Sequence, residues 1–378
     1  MARQSAARAK LLPTAQGYHM PAEWEPHEST WLAWPHFRGD WPGKFEPIAW
    51  VYAEVVRTLA RHERVDIIVN DASWEARAQR VLDRAGALSE NVAFRRWRTN
   101  RVWTRDSGCI FLTPSGELHR DQTGAPLLAL HFQFNAWAKY PNYNLDEKVG
   151  ARMAKAAGVR VVQPTFMDAL NEKHRVVLEG GSIDANGCGT VLTTEECLLS
   201  TTQQRNPSMD RSAYEQLFAD YLGAQSVIWL DSGIVGDDTH GHIDDIARFA
   251  APNTVVTMVE PNERSENHMA LHENLGRLKN ARTPDGQKFD VVEIPMPRPL
   301  LFEGRQLPVS YANFYIANGA VLVPVFNDPN DRIALNLLAE VFPTREIVPV
   351  YSGDLIWGFG ALHCMTQQQP AKAETADN

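Results

Sequence analysis

Cys364 is the first residue that could do chemistry. It ends a glycine-containing approach, Trp357-Gly358-Phe359-Gly360-Ala361-Leu362-His363-Cys364. A thiolate there would be a nucleophile, and glycines let a backbone come close to a ligand. A lone cysteine also serves as a small buried hydrophobe. The second group is the run His240-Gly241-His242-Ile243-Asp244-Asp245. On a strand His240, His242 and Asp244 would share a face. A histidine beside carboxylates works as a general acid/base. The same run, His240 to Asp245, also offers imidazole and carboxylate ligands to a metal. Asp106 and Glu179 form the third group, each a carboxylate near glycine in an otherwise apolar stretch. Such a carboxylate is costly unless it meets a cation, whether a ligand or a neighbour such as Arg105. Trp24, Trp31, Trp34, Trp103, Trp137 and Trp357 could wall a ligand site or fill a core. One cysteine, one histidine and three carboxylates together suit attack on a cationic electrophile. A guanidinium is planar, and carboxylates can grip it in bidentate fashion. Each charge pair contributes about 4 kcal/mol at roughly 4 Å with an effective dielectric near 20.

These residues need a scaffold, and the composition describes one. The 378 residues are 44% apolar and 22% charged, as in ordinary globular proteins. Disorder, collagen and coiled coil are excluded as overall descriptions. The net charge of -9 gives no basic footprint for a nucleic-acid partner. No apolar run approaches the length of a membrane-spanning helix. The cysteines Cys109, Cys188, Cys197 and Cys364 form no CxxC pair and are too sparse for a disulfide scaffold. The first 19 residues lack an apolar signal core, so the reduced cytoplasm is the expected compartment. Residues 1–17 are expected to be a loose extension, 18–370 a single catalytic domain and 371–378 a polar tail.

The scaffold repeats. Apolar periodicity predicts helices near 47–62, 72–86, 145–157, 211–222, 265–281 and 331–342. Each precedes a β-rich run, at 65–69, 92–97, 159–162, 226–230, 289–294 and 346–350. Hairpin signals fall at 109–118, 182–193, 247–258 and 314–326, so the order helix, strand, connection, hairpin recurs every 65–70 residues. Before each hairpin lies a polar cluster: 105–108, 179–182, 240–245 and 310–313, with 360–364 before the chain ends. A strand at 30–34 could complete the last unit and leave no open edge. The pattern predicts an α/β protein of five pseudo-symmetric units around an axis, closed by its termini, with an open α/β sheet as the alternative.

Certain stretches carry a resemblance. They are MPAEWEPHESTWLAWP from Met20, VWTRDSG from Val102, FNAWAKYPNYNLD from Phe134, VLEGGSID from Val177 and TTEECLL from Thr193. GDDTHGHIDDIARF from Gly236, SYANFYIANG from Ser310 and HCMTQQQP from His363 complete the set. In combination they resemble the agmatine deiminase family of the guanidine-modifying (pentein) superfamily, related to bacterial peptidylarginine deiminases, over residues 18–370. The resemblance implies a five-bladed α/β propeller and a hydrolase acting on the C–N bonds of linear amidines. Cys364 would be the nucleophile and His242 the general acid/base. Asp106 and Asp244 would hold the guanidinium, Glu179 would orient His242, and Asn313 and Trp103 would line the substrate site. Agmatine would become N-carbamoylputrescine and ammonia, on the way to putrescine in polyamine biosynthesis, through an amidino-cysteine and without metal or cofactor. Arginine, peptidyl-arginine or another guanidino compound is the alternative substrate. A metal-dependent hydrolase built on His240 to Asp245 is the alternative chemistry. The partner would be a small cationic substrate, with no nucleic acid or membrane, and the protein could form a homo-oligomer. The chain departs from the family where Phe359, Ala361 and Leu362 interrupt a glycine run, where Cys109 replaces a proline, and at His240, where an acidic residue is common.

Overall fold

Three-stranded units of one design recur along the chain. The computed structural model describes residues 12–115 and 127–372. In one unit Asp184–Ala185 runs antiparallel to Thr190–Thr194, which runs parallel to Ser226–Leu230. Ala247–Ala251, Thr254–Val259 and Asp290–Pro295 repeat that order. So do Tyr315–Ile316, Ala320–Val325 and Glu346–Tyr351. Ile110–Pro114, Leu128–Leu130 and Arg160–Val162 follow it as well, with Tyr18–His19 added outside. A fifth multi-stranded sheet brings together segments near the two ends of the chain. Gln367–Pro370 lies antiparallel to His27–Ala33, which is parallel to Arg64–Val69 and then Val92–Arg96.

A parallel pair needs a long crossover, and here it is a helix each time. Phe45–Leu59, Ala72–Arg84, Val149–Ala157, Arg211–Leu222, His268–Asn280 and Asp331–Val341 fill that place. Local sequence sets their ends. Asp210 accepts the N–H of Ala213 at the start of Arg211–Leu222, and Gly223 closes it at a φ of 79°, where glycine is unstrained. Phe45–Leu59 buries Ile48, Tyr52, Val55, Val56 and Leu59 at three- and four-residue spacing against its sheet. Each such side chain contributes about 1.5–3 kcal/mol. The core is thus divided among helix–sheet interfaces, one centred on Trp31, Trp34 and Tyr52, another on Phe249 and Phe314, a third on Tyr214 and Phe218.

Two expectations change. The expected first hairpin, 109–118, extends outside the described residues; within them Ile110–Pro114 pairs with Leu128–Leu130. Residues 12–17 are docked rather than loose, since Thr14 Oγ1 donates to the Asp220 carbonyl at 2.8 Å and Gly17 O accepts the N–H of Ser115. The rest of the expected extension, 1–11, and most of the tail, 373–378, lie outside the described residues.

Candidate active site

Every candidate side chain sits just before the first strand of a unit. Asp106 is on the short helix Thr104–Ser107 ahead of Ile110. Glu179 caps Gly180–Ser182 ahead of Asp184. His242 and Asp244 lie at and within the turn Ile243–Asp245 ahead of Ala247. Asn313 precedes Tyr315, and Cys364 precedes Gln367. Equivalent positions in similar units meet, and here they meet in one buried cluster.

Asp106 Oδ1 accepts the N–H of Gly181 at 3.2 Å, and Oδ2 accepts the indole N–H of Trp137 at 3.0 Å. His242 Nδ1 is 3.9 Å from Oδ1 of both Asp106 and Asp244, and Nε2 is 3.7 Å from Glu179 Oε2. Neither ring nitrogen has a hydrogen-bond partner, nor have Glu179 Oε2 and Asp244 Oδ1. Asn313 Nδ2 lies 3.1 Å from Cys364 Sγ and 3.0 Å from Asp245 Oδ1; Asp244 Oδ2 is 3.7 Å from the same sulfur. Gly181 makes this approach possible. A Cβ there would stand 2.6 Å from His242 Nδ1 and 3.0 Å from Asp106 Oδ1. A cavity of about 210 Å³ leads to Asp106 and Cys364, walled by Trp103, Trp137, Trp357 and Phe359. Trp31 and Trp34 are core instead, and Trp24 packs on the Phe249 cluster.

The electrostatics follow from burial against charge. Burial lifts Asp106 to about 6, with His242 opposing and Asp244 and Glu179 adding to the rise. Burial disfavours charge on His242, but Asp106 beside it, with Cys197 and Glu179, raises its pKa well above the usual value. Burial also opposes ionisation of Glu179, yet Arg205 and His242 bring it down to about 2. The Cys364 thiol is pushed well above its usual range by burial and then by Asp244, Asp245 and Asp106. Asp245 is held high by burial and by Asp244. The site therefore favours a neutral thiol, a charged imidazole and a surplus of negative charge.

The sequence reading missed the layer that holds these groups. Glu23 pairs with Arg248 at 2.9 Å, with Arg105 at 3.1 Å and with His363 Nε2 at 2.8 Å. His363 Nδ1 is 2.7 Å from Asp244 Oδ2. Arg205 Nε donates to Glu179 Oε1 at 3.2 Å. The visible signal was a charged residue inside a strand that otherwise faces the core, as Arg248 is between Ala247 and Phe249. Arg105 serves Glu23 and Gln368 rather than Asp106.

The run 240–245 does not act as one ligand set. His240 has a φ of 65° and Gly241 of 87°, so the period of two expected of a strand is broken. His240 turns to Ser200 Oγ at 3.1 Å and Glu196 at 3.5 Å, away from Asp244. Among the described residues, the group at this site with metal-binding spacing is Glu179, Cys197 and His242. The guanidinium of Arg205 already occupies one side of Glu179 and would oppose a cation there. Cys109 is fully buried in the core.

A family model described as Porphyromonas-type peptidyl-arginine deiminase matches residues 19–370. An agmatine deiminase of Pseudomonas syringae pv. tomato is 34% identical over 385 residues, covering 95% of this chain and 97% of its own. A structure of the Enterococcus faecalis agmatine deiminase catalysing its reaction superposes with a TM-score of 0.84 at 29% identity, covering 96% of this chain and 98% of its own. A cysteine-to-serine variant of the C. jejuni agmatine deiminase with substrate bound gives 0.80 at 30% identity, covering 94% and 97%. The chain belongs to the agmatine deiminase and Porphyromonas-type peptidyl-arginine deiminase family.

Proposed function

We propose that the protein hydrolyses agmatine to N-carbamoylputrescine and ammonia. The observation that carries this reading is the meeting of Cys364, His242, Asp106 and Asp244 at the end of a narrow aromatic cavity. The names of the similar enzymes support the choice of substrate. The guanidinium lies between Asp106 and Asp244 and takes up the surplus negative charge. With those carboxylates neutralised, the Cys364 thiol loses its proton to solvent and the thiolate attacks the guanidinium carbon. A C–S bond forms. His242 gives its proton to one amino group, the C–N bond breaks, and ammonia leaves. Neutral His242 then takes a proton from water, whose oxygen attacks the amidino carbon; the C–S bond breaks and the ureido product departs. Glu179, fixed by Arg205, orients His242 through both steps. Asn313 positions the sulfur, and Trp103 lines the substrate chain.

The same reading covers the architecture. The five similar units, with terminal strands paired to each other, support a five-bladed α/β propeller and one catalytic domain over 18–370. Four unpaired cysteines support a cytoplasmic enzyme; among the described residues no helix is long and apolar enough to cross a membrane. The test is direct. Purified protein is incubated with agmatine, arginine and a peptidyl-arginine, with and without chelator, and the products are identified by mass. Ammonia and N-carbamoylputrescine at a chelator-independent rate are expected. Urea with putrescine, or loss of rate on chelation, would move the chemistry to a metal hydrolase. A preference for arginine would keep the chemistry and change the substrate.

A further inference from the structure

The mouth of the cavity carries a second charged cluster that the chemistry above does not use. Asp40 and Arg101 line the same cavity as Asp106 and Cys364, and Asp238 stands beside them. The charged neighbours of Asp106 are His242, Asp244 and Glu179, whereas those of Asp40 are Arg101 and Asp238. The two carboxylates share no charged neighbour, and both line one cavity with Trp103, Trp137, Trp357 and Phe359.

Asp238 has no spare capacity. Its Oδ1 accepts Lys139 Nζ at 2.6 Å and Arg305 Nη2 at 3.2 Å, and its Oδ2 accepts the Tyr140 hydroxyl at 2.6 Å. Asp40 differs. Its Oδ1 accepts Arg101 Nη1 at 2.6 Å, but its Oδ2 is buried and has no partner. The residue is only 7% exposed. A carboxylate oxygen left alone at that depth is costly, so its place in a ligand cavity indicates a donor supplied by the ligand. The aromatic lining of Trp103, Trp137, Trp357 and Phe359 suits an alkyl chain. Arg101 gives Nη1 to Asp40 and Nη2 to Asn142 Oδ1 at 3.4 Å and stacks on Tyr140 at 4.2 Å; Nε is unpartnered, but the two-pronged fork that would grip a carboxylate is already in use.

We propose that Asp40 receives the ammonium at the far end of the substrate chain and so selects an alkyl guanidine that ends in a cation. This deepens the proposed deimination and rests on it. The experiment compares agmatine with butylguanidine, which keeps the chain and the guanidinium but lacks the ammonium, in the wild-type enzyme and in Asp40→Asn. The asparagine keeps an oxygen for Arg101 and removes the charge. Losing one charge-assisted hydrogen bond should raise KM for agmatine roughly 10- to 100-fold, with kcat within about threefold. Constants for butylguanidine should stay as in wild type. Equal KM values for the two compounds in the wild-type enzyme, or an intact agmatine preference in Asp40→Asn, would overturn the role of Asp40 while leaving deimination standing. Release of ammonia from neither compound by wild type would instead overturn the deimination reading and this one with it.

A second measurement needs no variant. Burial, against Arg101 and with help from Asp238, raises Asp40 to about 7. Tyr52 and Asp146 also face this group electrostatically. Both substrates stay fully cationic in this range, because amines and guanidines titrate near about 10 and above 12. The carboxylate is charged above its pKa, so the KM advantage of agmatine over butylguanidine should shrink as pH falls through about 7. Titration of Asp106 affects both compounds alike and cancels in the ratio. A ratio that stays flat from pH about 5.5 to about 8.5 would overturn the assignment.

Discussion

Two buried charged layers lie against each other in this protein, and they are finished to different degrees. In the layer beneath the site, Glu23 and Asp184 face Arg105 and Arg248, every charge with an opposite one within 3.4 Å. In the reactive layer, Asp106, Asp244 and Glu179 meet the cations His242 and Arg205, and Asp244 Oδ1, Glu179 Oε2 and both His242 nitrogens lack hydrogen bonds. Both layers are desolvated, so burial alone does not separate them. What separates them is the balance of charge. The lower layer balances two carboxylates with two guanidinium groups, although Arg248 Nε and Nη2 lack hydrogen bonds there as well; the upper one is one positive charge short, which on the proposed mechanism a guanidinium supplies. His363 joins them, with one ring nitrogen on Glu23 and the other on Asp244.

The comparison can be broken by substitutions on either side. Asp106→Asn removes a charge from the reactive layer at constant size. It should cost about 4 kcal/mol of transition-state stabilisation, read as a fall in kcat/KM of roughly a thousandfold, with the melting temperature little changed. Near wild-type kcat/KM would remove Asp106 from the guanidinium site. Glu23→Gln acts on the other layer. It leaves Arg248 and Arg105 without their shared carboxylate and should cost about 3 kcal/mol of folding stability, measured by denaturant unfolding. The folded variant should retain most of its kcat. A variant as stable as wild type but inactive would mean that the lower layer takes part in the chemistry.

The mildest perturbation is pH. Asp106 is raised to about 6, so its folded-state pKa lies above the ordinary carboxylate value. On the proposed mechanism its charged form binds substrate, and that form is lost as pH falls through about 6. The kcat/KM for butylguanidine, whose binding does not involve Asp40, should then drop up to about tenfold per pH unit on the acid side. Glu179, brought down to about 2, keeps its charge throughout and should add no break. A profile flat down to about pH 4.5 would contradict the assignment of Asp106.

Much of this was legible in the amino-acid order, for identifiable reasons. The helix Arg211–Leu222 and the strand Ser226–Leu230 stand where periodicity put them, because apolar spacing, an Asp cap and a glycine stop agree locally. Strand 367–370 was invisible: Gln367, Gln368, Gln369 and Pro370 are all buried, yet a polar run shows no alternation. The candidate residues could be named because Asp106 and Glu179 stand near glycine in apolar stretches, and because Cys364, His242 and Asp244 fall in stretches that carry the family resemblance. Their supports could not, since Glu23 and Arg248 lie 225 positions apart in sequence and only the fold makes them neighbours. His240 was placed on the wrong face because alternation assumes a strand, and the left-handed His240 and Gly241 remove it. Phe359 takes a φ of 63°, a left-handed conformation that a bulky side chain rarely adopts. It faces the cavity, with Arg305 4.4 Å over its ring.

The central claim is that Cys364 carries the substrate carbon during turnover, and trapping that carbon tests it most directly. The enzyme is mixed with agmatine, quenched in acid within the first turnovers, digested, and the peptide bearing Cys364 is weighed. The account predicts an alkyl-amidino adduct on Cys364, which appears before the ureido product and disappears as agmatine is exhausted. It also predicts that Cys364→Ala folds normally but shows neither adduct nor product, a loss on the order of 10⁴-fold or more. Product formation by the alanine variant at a comparable rate, or an unmodified Cys364 peptide throughout rapid turnover, would contradict it.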